Sequence, residues 1–562
     1  MSDKVIKFEN TYKFYRQLAE EKADQNDLLG SLTLLLASKD KSRGVMIYGD
    51  IADLYFDMGH YELSINYWFR FLNLVSKKNY SIAYNGLGTS YFYLGNVDMA
   101  GFYFNEQLAH VQDASKVYID DNMMQYFDEV VNHKKEYKIV YPYECVDYSE
   151  AVERGKRKIL QGDYAGAIEI LSEVYPGSDR YADALCELEL AYFFSGKLQE
   201  AVSAGRKALV YRPDCVRALC TLASIYHYCG QYEQAALCLK RAEEAGSDAD
   251  DDVYKLATTL CEQAKHKKAL FYLEKLIGRN PYETKILFLA GIASYNTGDY
   301  SKARSYFGKI LRITQVNPVA LYYYRVSDEM EALGAKNAKP LAYYYRVPDE
   351  ECEARIRRLR DLFRKTQREL NKKVKERETK ELIDWAFSTM DVNLMTVAVA
   401  VLSRSTEKCA RDYLLDVLLD ASVYDEIKEE IVFQLALAQY DKSAGIVLSN
   451  FFRKIQFMSL DFSEEDRAGL YVEAYARAFT KLLVNGEAAF DGLVETTRRL
   501  YYELLLSERL GEVKDASVLA AGIALTSGKK NRGIRETAQM FGADYEAVKA
   551  LLSLIREVEG ND

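Results

Sequence analysis

The sequence predicts an all-α fold: a right-handed α-solenoid of stacked helix hairpins, followed by a C-terminal helical domain. Three observations carry that expectation. Glycines recur at a spacing of 34 residues, at Gly162, Gly196, Gly230 and Gly298, with Ala264 in the one remaining slot. Only 7 prolines and 31 glycines punctuate 562 residues, too few for a loop-dominated or collagen-like chain. With 49% hydrophobic and 28% charged residues the chain has ample material for a core and does not read as disordered. At roughly 100–200 residues per domain the length suits a repeat array or about three to five units.

Each element of the period has a physical reason. Five residues after each slot comes an alanine, at Ala167, Ala201, Ala235, Ala269 and Ala303, and two after each comes Tyr164, Leu198, Tyr232, His266 or Tyr300. Pro213 and Pro281 follow their slots by 17 residues. A first helix ends at a residue able to adopt positive φ, a short turn follows, and a second helix begins with alanine where the two rods cross closely. These residues resemble the tetratricopeptide repeat. The best copies run through Leu185, Leu188, Tyr192, Gly196, Ala201, Ala208 and Pro213, then Leu219, Leu222, Ala223, Tyr226, Gly230, Ala235 and Ala242. Upstream, Tyr84, Leu87, Gly88, Tyr91, Gly95, Ala100 and Phe104 make another copy, and Tyr48, Ile51, Ala52, Tyr55, Gly59 and Ser64 a looser one.

The expected organisation is a helical cap or degenerate repeat over 1–44, two repeat units over 45–114, a linker over 115–147 and five units in register over 148–317. A connector with a basic amphipathic helix follows over 318–380, then a helical, HEAT-like region over 381–510 and a helix-turn-helix-like tail over 511–562. The resemblance implies that first-helix side chains line a concave face that holds peptides or partner proteins. Counting positions 2, 5, 9, 12 and 13 of each unit places Cys186, Leu190, Phe193 and Phe194 on that face, then Arg217, Cys220, Ser224, His227 and Tyr228. Tyr254, Thr258 and Cys261 follow, then Lys285, Phe288, Ile292, Tyr295 and Asn296. Relatives that grip a terminal carboxylate alternate Lys and Asn there; only Lys285 and Asn296 fit that role, which argues against such a clamp. Large flat side chains suit an apolar or aromatic peptide, or a helix of the chain itself. Packing between neighbouring repeats explains the same residues equally well.

Residues 322–329, Tyr-Tyr-Tyr-Arg-Val-Ser-Asp-Glu, and 343–350, Tyr-Tyr-Tyr-Arg-Val-Pro-Asp-Glu, are near-copies 21 apart. An aromatic run before an acidic helix start reads as a loop that plugs onto the last repeat; a linear motif for a partner is the other reading. Residues 351–380 hold twelve Lys or Arg against six Asp or Glu, with Ile356, Leu359, Leu362, Phe363, Leu370 and Val374 on roughly one face, which predicts one long basic helix. Residues 410–438 resemble the helix pair of a HEAT-type repeat. Over 445–457, β-branched and aromatic residues flank Ser449-Asn450, the one small β-hairpin expected.

The tail has the layout of three short helices. Ala538, Phe541, Gly542, Val548 and Leu551 resemble a helix-turn-helix, yet the second helix would open on Ala543-Asp544-Tyr545-Glu546, whose carboxylates oppose phosphate oxygens. Lys529, Lys530, Arg532 and Arg535 are the candidate backbone contacts if DNA is bound. The layout also resembles a group of bacterial repeat proteins that end in such a tail.

Other function classes lose support. Lys and Arg number 74 against 84 Asp and Glu, a net charge of −10 that disfavours nucleic-acid binding by the whole chain. Nine cysteines without a CxxC pair signal neither a disulfide framework nor a zinc site. The five histidines form no metal-ligand pattern, and no phosphate-binding glycine loop appears. Cys220, His227 and Cys261 share a face, the minimal thiol and imidazole arrangement, but packing is the preferred account. No catalytic, metal or cofactor site is assigned. The N-terminus places Lys, Glu and Arg where a leader would need an unbroken apolar core, so none is expected, and 28–38 is about half the ~20 residues that span a bilayer. The expectation is a cytoplasmic, non-catalytic scaffold that binds a peptide or protein in the concave groove; a peptide-sensing regulator whose tail touches DNA is the alternative.

Overall fold

A hairpin repeated at constant spacing leaves an apolar stripe on both helices, and only a neighbouring hairpin can cover it. The computed structural model shows this solution along the N-terminal helix pairs and the five hairpins of Gln125–Val347. It describes residues 11–39, 44–110, 121–127, 130, 139–140, 144–145, 148–334, 338–460, 462, 468–486, 491–527 and 533–558. The chain divides into two units, one of Gln125–Val347 and one of Met1–Met124 with Pro348–Asp562.

In the unit Gln125–Val347, five hairpins follow one another: Tyr148–Leu160 with Tyr164–Ser172, Tyr181–Phe194 with Leu198–Tyr211, Val216–Tyr228 with Tyr232–Ala245, Asp250–Glu262 with His266–Arg279, and Thr284–Asn296 with Tyr300–Thr314. Second helices start on aspartate caps where the sequence supplies them: Asp163 accepts from the Gly166 amide at 3.0 Å and Asp299 from the Lys302 amide at 3.0 Å. The turn slot requires positive φ, and Ala264 adopts it at +55°. The helices of a pair cross where a small residue faces a large one sixteen positions on. A Cβ built on Gly291 would lie 2.6 Å from Phe307, and one on Gly155 would lie 2.5 Å from Leu171. One pair is inverted: Gly205 makes the room, and Glu189 fills it.

The period runs one helix further than expected. Pro318–Ala332 begins 34 residues after Thr284, capped by Asn317 with proline in its first turn, and buries Ala320 and Tyr323. The first near-copy lies inside this helix, so it is not a loop. A two-residue antiparallel ladder, Ile139–Val140 with Glu144–Cys145, corrects the expectation of a single hairpin. Strands this short carry no alternation that a sequence pattern could register.

In the other unit, the helix pairs Thr11–Asp24 with Leu28–Lys39, Ile47–Asp57 with Tyr61–Leu74, and Tyr80–Tyr93 with Val97–Ala109 precede the C-terminal helices. The hairpin Ser443–Leu448 with Phe451–Gln456 turns at Ser449 and Asn450, both at positive φ. Its tip docks on the repeats of its own unit. Tyr91 donates to Asn450 Oδ1 at 3.0 Å, Tyr103 donates to the Asn450 carbonyl, and Phe102 meets Phe451 edge-on at 4.8 Å. Arg70 forms a two-pronged pair with Asp416 at 2.9 and 3.1 Å.

The expected long basic helix is instead three helices, Asp349–Phe363, Gln367–Lys373 and Arg377–Ser388. The break has a local cause: Thr366 and Glu369 form a reciprocal capping box, which starts a new helix in mid-stretch. In the tail, Ala516–Ser527, Ile534–Phe541 and Tyr545–Val558 bury Ala538, Phe541, Val548 and Leu551 together, with Gly542 left-handed at φ +62°. No helix among the described residues is long and apolar enough to cross a membrane.

Candidate peptide-binding groove

The face made by the first helices of Gln125–Val347 carries most of the predicted site residues, and the structure sorts them into three groups. Cys186, Cys220, Cys261, Phe288, Ile292 and Tyr295 are buried. Leu190, Phe193, Arg217, Ser224, His227, Tyr254, Thr258 and Asn296 are half-buried, and Phe194, Tyr228 and Lys285 are exposed.

At the N-terminal end the face is an open aromatic ledge. Tyr164 stacks on Phe194 at 5.6 Å, Phe193 lies against Phe194 at 5.6 Å, and Tyr228 meets Phe193 edge-on at 6.2 Å. His227 packs edge-on against Tyr232 at 5.2 Å. Arg217 is committed to Glu187 at 3.1 Å and Asp183 at 3.3 Å, and Ser224 donates to Glu262 at 2.7 Å. Thr258 bonds back to its own helix at the Tyr254 carbonyl.

Cys186 turns away from the face toward Cys215, with the sulfurs 3.4 Å apart. Its hydrogen bond to Cys215, then burial, push Cys186 up. That same hydrogen bond, the Ala218 amide and the Arg212 and Arg217 guanidiniums bring Cys215 down against the opposing effect of burial. Cys220 and Cys261 are each pushed up to about 12, chiefly by burial, so both stay thiols. No nucleophile is prepared there.

The C-terminal end is occupied by the chain itself. Residues 338–347 run without helix or strand across the helices Asp250–Glu262, Thr284–Asn296 and Pro318–Ala332, turning where the Arg346 amide donates to the Tyr344 carbonyl at 2.8 Å. The Asn296 side chain grips the main chain from both ends: its Nδ2 donates to the Leu341 carbonyl at 2.9 Å and its Oδ1 accepts from the Leu341 amide at 2.7 Å. The Tyr343 ring stacks on His266 at 5.8 Å with its hydroxyl 2.8 Å from Nδ1, and the same hydroxyl bonds to Cys261. Burial holds His266 below its ordinary range, so the ring is neutral and suited to a phenol. Tyr345 meets Phe288 edge-on at 4.7 Å, and its hydroxyl accepts from Asn317 at 2.5 Å. Tyr323 donates to the Arg346 carbonyl at 2.9 Å, and the Ala338 amide donates to Tyr300 at 3.3 Å. Val347 is buried, while Tyr344 is 68% exposed.

Thus Cys261, Phe288 and Asn296 converge on one ligand-like segment, whereas Cys186 and Cys220 serve the core. Sequence reasoning noted His266 only as part of the repeat period and left it, Asn317 and Tyr323 out of the predicted site. The signal that pointed to them was the second near-copy, since a segment read as plugging the last repeat needs a receiving surface. In the tail, Lys529, Lys530 and Arg532 lie outside the described residues. Arg535 stacks over Tyr545 at 5.5 Å, and Asp544 caps the last helix by accepting from the Ala547 amide.

With this geometry in view, a family model of tetratricopeptide type, described as "Anaphase-promoting complex, cyclosome, subunit 3", matches residues 229–310. These residues carry repeats of tetratricopeptide type. The match spans the turn at Gly230, the hairpin around Ala264 and most of the next. Similar solved structures include YrrB, titled a TPR protein with an unusual peptide-binding site, at 23% identity over 30% of this chain and 84% of that one, with a TM-score of 0.24. TTC0263, a thermophilic TPR protein in Thermus thermophilus, shares 16% identity over 33% of this chain and 100% of its own, with a TM-score of 0.27. MamA shares 25% identity over 29% of this chain and 94% of its own, with a TM-score of 0.24. No curated protein matches this chain in sequence.

Proposed function

We propose that this repeat protein is a non-catalytic scaffold that binds an extended peptide, or an extended segment of a partner protein, along the concave face of its first helices. One observation carries the reading: Asn296 already holds a non-helical main chain on that face through paired amide hydrogen bonds. Such bonds are indifferent to side-chain identity and serve any β-like segment, while flanking aromatic pockets supply selectivity. The open ledge of Phe193, Phe194 and Tyr228 continues the same face, with Phe194 and Tyr228 exposed. A cytoplasmic setting with reduced thiols is part of the proposal, resting on cysteines spaced without a CxxC pair.

The test is a peptide array probed with the full chain and with its Phe193→Ala/Tyr228→Ala variant. The reading expects the variant to lose array signal while its helical circular dichroism stays unchanged. Identical array patterns for the two proteins would move binding off this face.

A further inference from the structure

We propose that residues 338–347 are a resident stand-in for an external ligand, and that the groove recognises, in another polypeptide, a non-helical segment with tyrosines two and four positions after the residue whose main chain is gripped. This rests on the scaffold reading above and names the chemistry of its partner. Three features of the bound segment define that chemistry.

The first is the main-chain register. Leu341 is the residue whose amide and carbonyl both pair with Asn296, which fixes the position and direction of whatever lies there. Second, two tyrosines reach the face: Tyr343 at His266 with Cys261, and Tyr345, itself 49% exposed, at Phe288 with Asn317, with the chain turning at Tyr345 as the Arg346 amide donates to the Tyr344 carbonyl at 2.8 Å. Tyr344 between them is the more exposed. Each tyrosine meets both an aromatic wall and a hydroxyl partner, so phenylalanine would satisfy only half of either pocket. Third, Pro348 disfavours helical geometry at Val347. The near-copy at 322–329 has Ser327 in the corresponding place and is helical. The groove therefore selects a non-helical, tyrosine-rich segment by conformation as well as by side chain.

The resident segment is held in a way that lets a competitor replace it. Lys339, Pro340, Ala342, Tyr344, Tyr345 and Arg346 are exposed, and the bonds to Asn296, His266 and Asn317 are ones that an incoming segment of the same pattern reproduces. Its advantage is connection. A tethered segment acts at a high effective concentration, so a free peptide of equal intrinsic affinity binds weakly until the tethered copy is loosened.

The experiment uses a fluorescein-labelled peptide of sequence Ala-Lys-Pro-Leu-Ala-Tyr-Tyr-Tyr-Arg-Val and the full chain, read by fluorescence anisotropy. The expected result is binding at least about 10-fold tighter to Tyr343→Ala/Tyr345→Ala than to the wild type, abolished when Asn296→Ala is added. Tyr343→Phe keeps the ring and removes one hydroxyl, so it serves if the double variant fails to fold. It should tighten peptide binding about fivefold, the worth of one hydrogen bond. Equal binding to wild type and both loosened variants would overturn the stand-in while leaving the scaffold reading in place. No binding to a folded loosened variant would also overturn it, and loss of the Phe193- and Tyr228-dependent array signal as well would remove both readings. Exchange of the segment between two copies, seen as concentration-dependent dimerisation in sedimentation, would make a second copy the occupant and overturn the separate partner.

Discussion

Glu189 gives the sharpest prediction about the repeats themselves. Its side chain is wholly buried between Gly205 and Leu222, and neither carboxyl oxygen has a hydrogen-bond partner. Burial holds its pKa well above the ordinary carboxylate range, with Lys255 pulling weakly the other way and Cys215 adding to the rise. The sign follows directly. The folded chain keeps a proton that the unfolded chain releases once pH exceeds the ordinary carboxyl pKa, so stability falls as pH rises from there to the folded value. The slope is about 1.4 kcal/mol per pH unit for one proton. Glu189→Gln keeps the size and the unpartnered polarity but cannot titrate, so it removes the slope. Native-state hydrogen exchange of the helix Tyr181–Phe194, corrected for intrinsic rates at pH 5.5, 6.5 and 7.5, reads this locally. Fluorescence does not, because Trp68 and Trp385 both belong to the other unit. The variant should gain on the wild type at each step up in pH. A constant difference across the series would mean that Glu189 is ionised in the fold and the argument fails.

Three further outcomes are expected. Ala264→Gly should stabilise its hairpin by ~0.5–1 kcal/mol, since left-handed geometry costs alanine about 1–2 kcal/mol and part of that gain is lost to the freer unfolded glycine; unchanged exchange protection in the helices Asp250–Glu262 and His266–Arg279 would contradict this. Hydrogen peroxide should link Cys186 to Cys215, the two thiols giving up two protons and two electrons as the peroxide becomes two waters; peptide mapping that finds only Cys229 or Cys409 oxidised would refute it. Lys428, buried and donating to the Val447 carbonyl at 2.7 Å, is lowered to about 8 mainly by burial, with Asp425 and Asp420 opposing. The folded chain then binds fewer protons than the unfolded chain between about pH 8 and 10.5, so stability rises with pH across that window and the penalty persists below it. Lys428→Met should flatten the rise and stabilise the chain by ~1–2 kcal/mol at pH 7, net of the lost hydrogen bond, in urea melts followed by tryptophan fluorescence; parallel pH profiles would count against it.

The all-α repeat fold was legible because the same small-to-large crossing must recur wherever two rods meet, and a spacing of 34 records it. Even the exception was on the page: Glu189 with Gly205 inverts the order seen at Gly291 with Phe307, sixteen residues apart in both cases. What escaped was whatever depends on a third body. Periodic counting gives the direction of a side chain from its helix, not what covers it, so Cys220 and Ile292 looked available and are enclosed by neighbouring hairpins. Asn296 was weighed as a partner for a terminal carboxylate, although its amide serves a main chain equally well. The two near-copies differ at Ser327 and Pro348, yet the first continues a helix capped at Asn317 and the second does not, so their context as well as that change sets their conformation. The long basic helix failed for the converse reason: the Thr366 and Glu369 cap is local, and an amphipathic count across it cannot see a new start.

The account depends most on a non-helical main chain being held by an asparagine on the repeat face. Amide hydrogen exchange at Leu341 in the full chain tests that bond directly. Wild type should protect this amide, and Asn296→Ala should release it while the helix Thr284–Asn296 stays protected. A Leu341 amide that exchanges at the free rate in the wild type would contradict the groove as described.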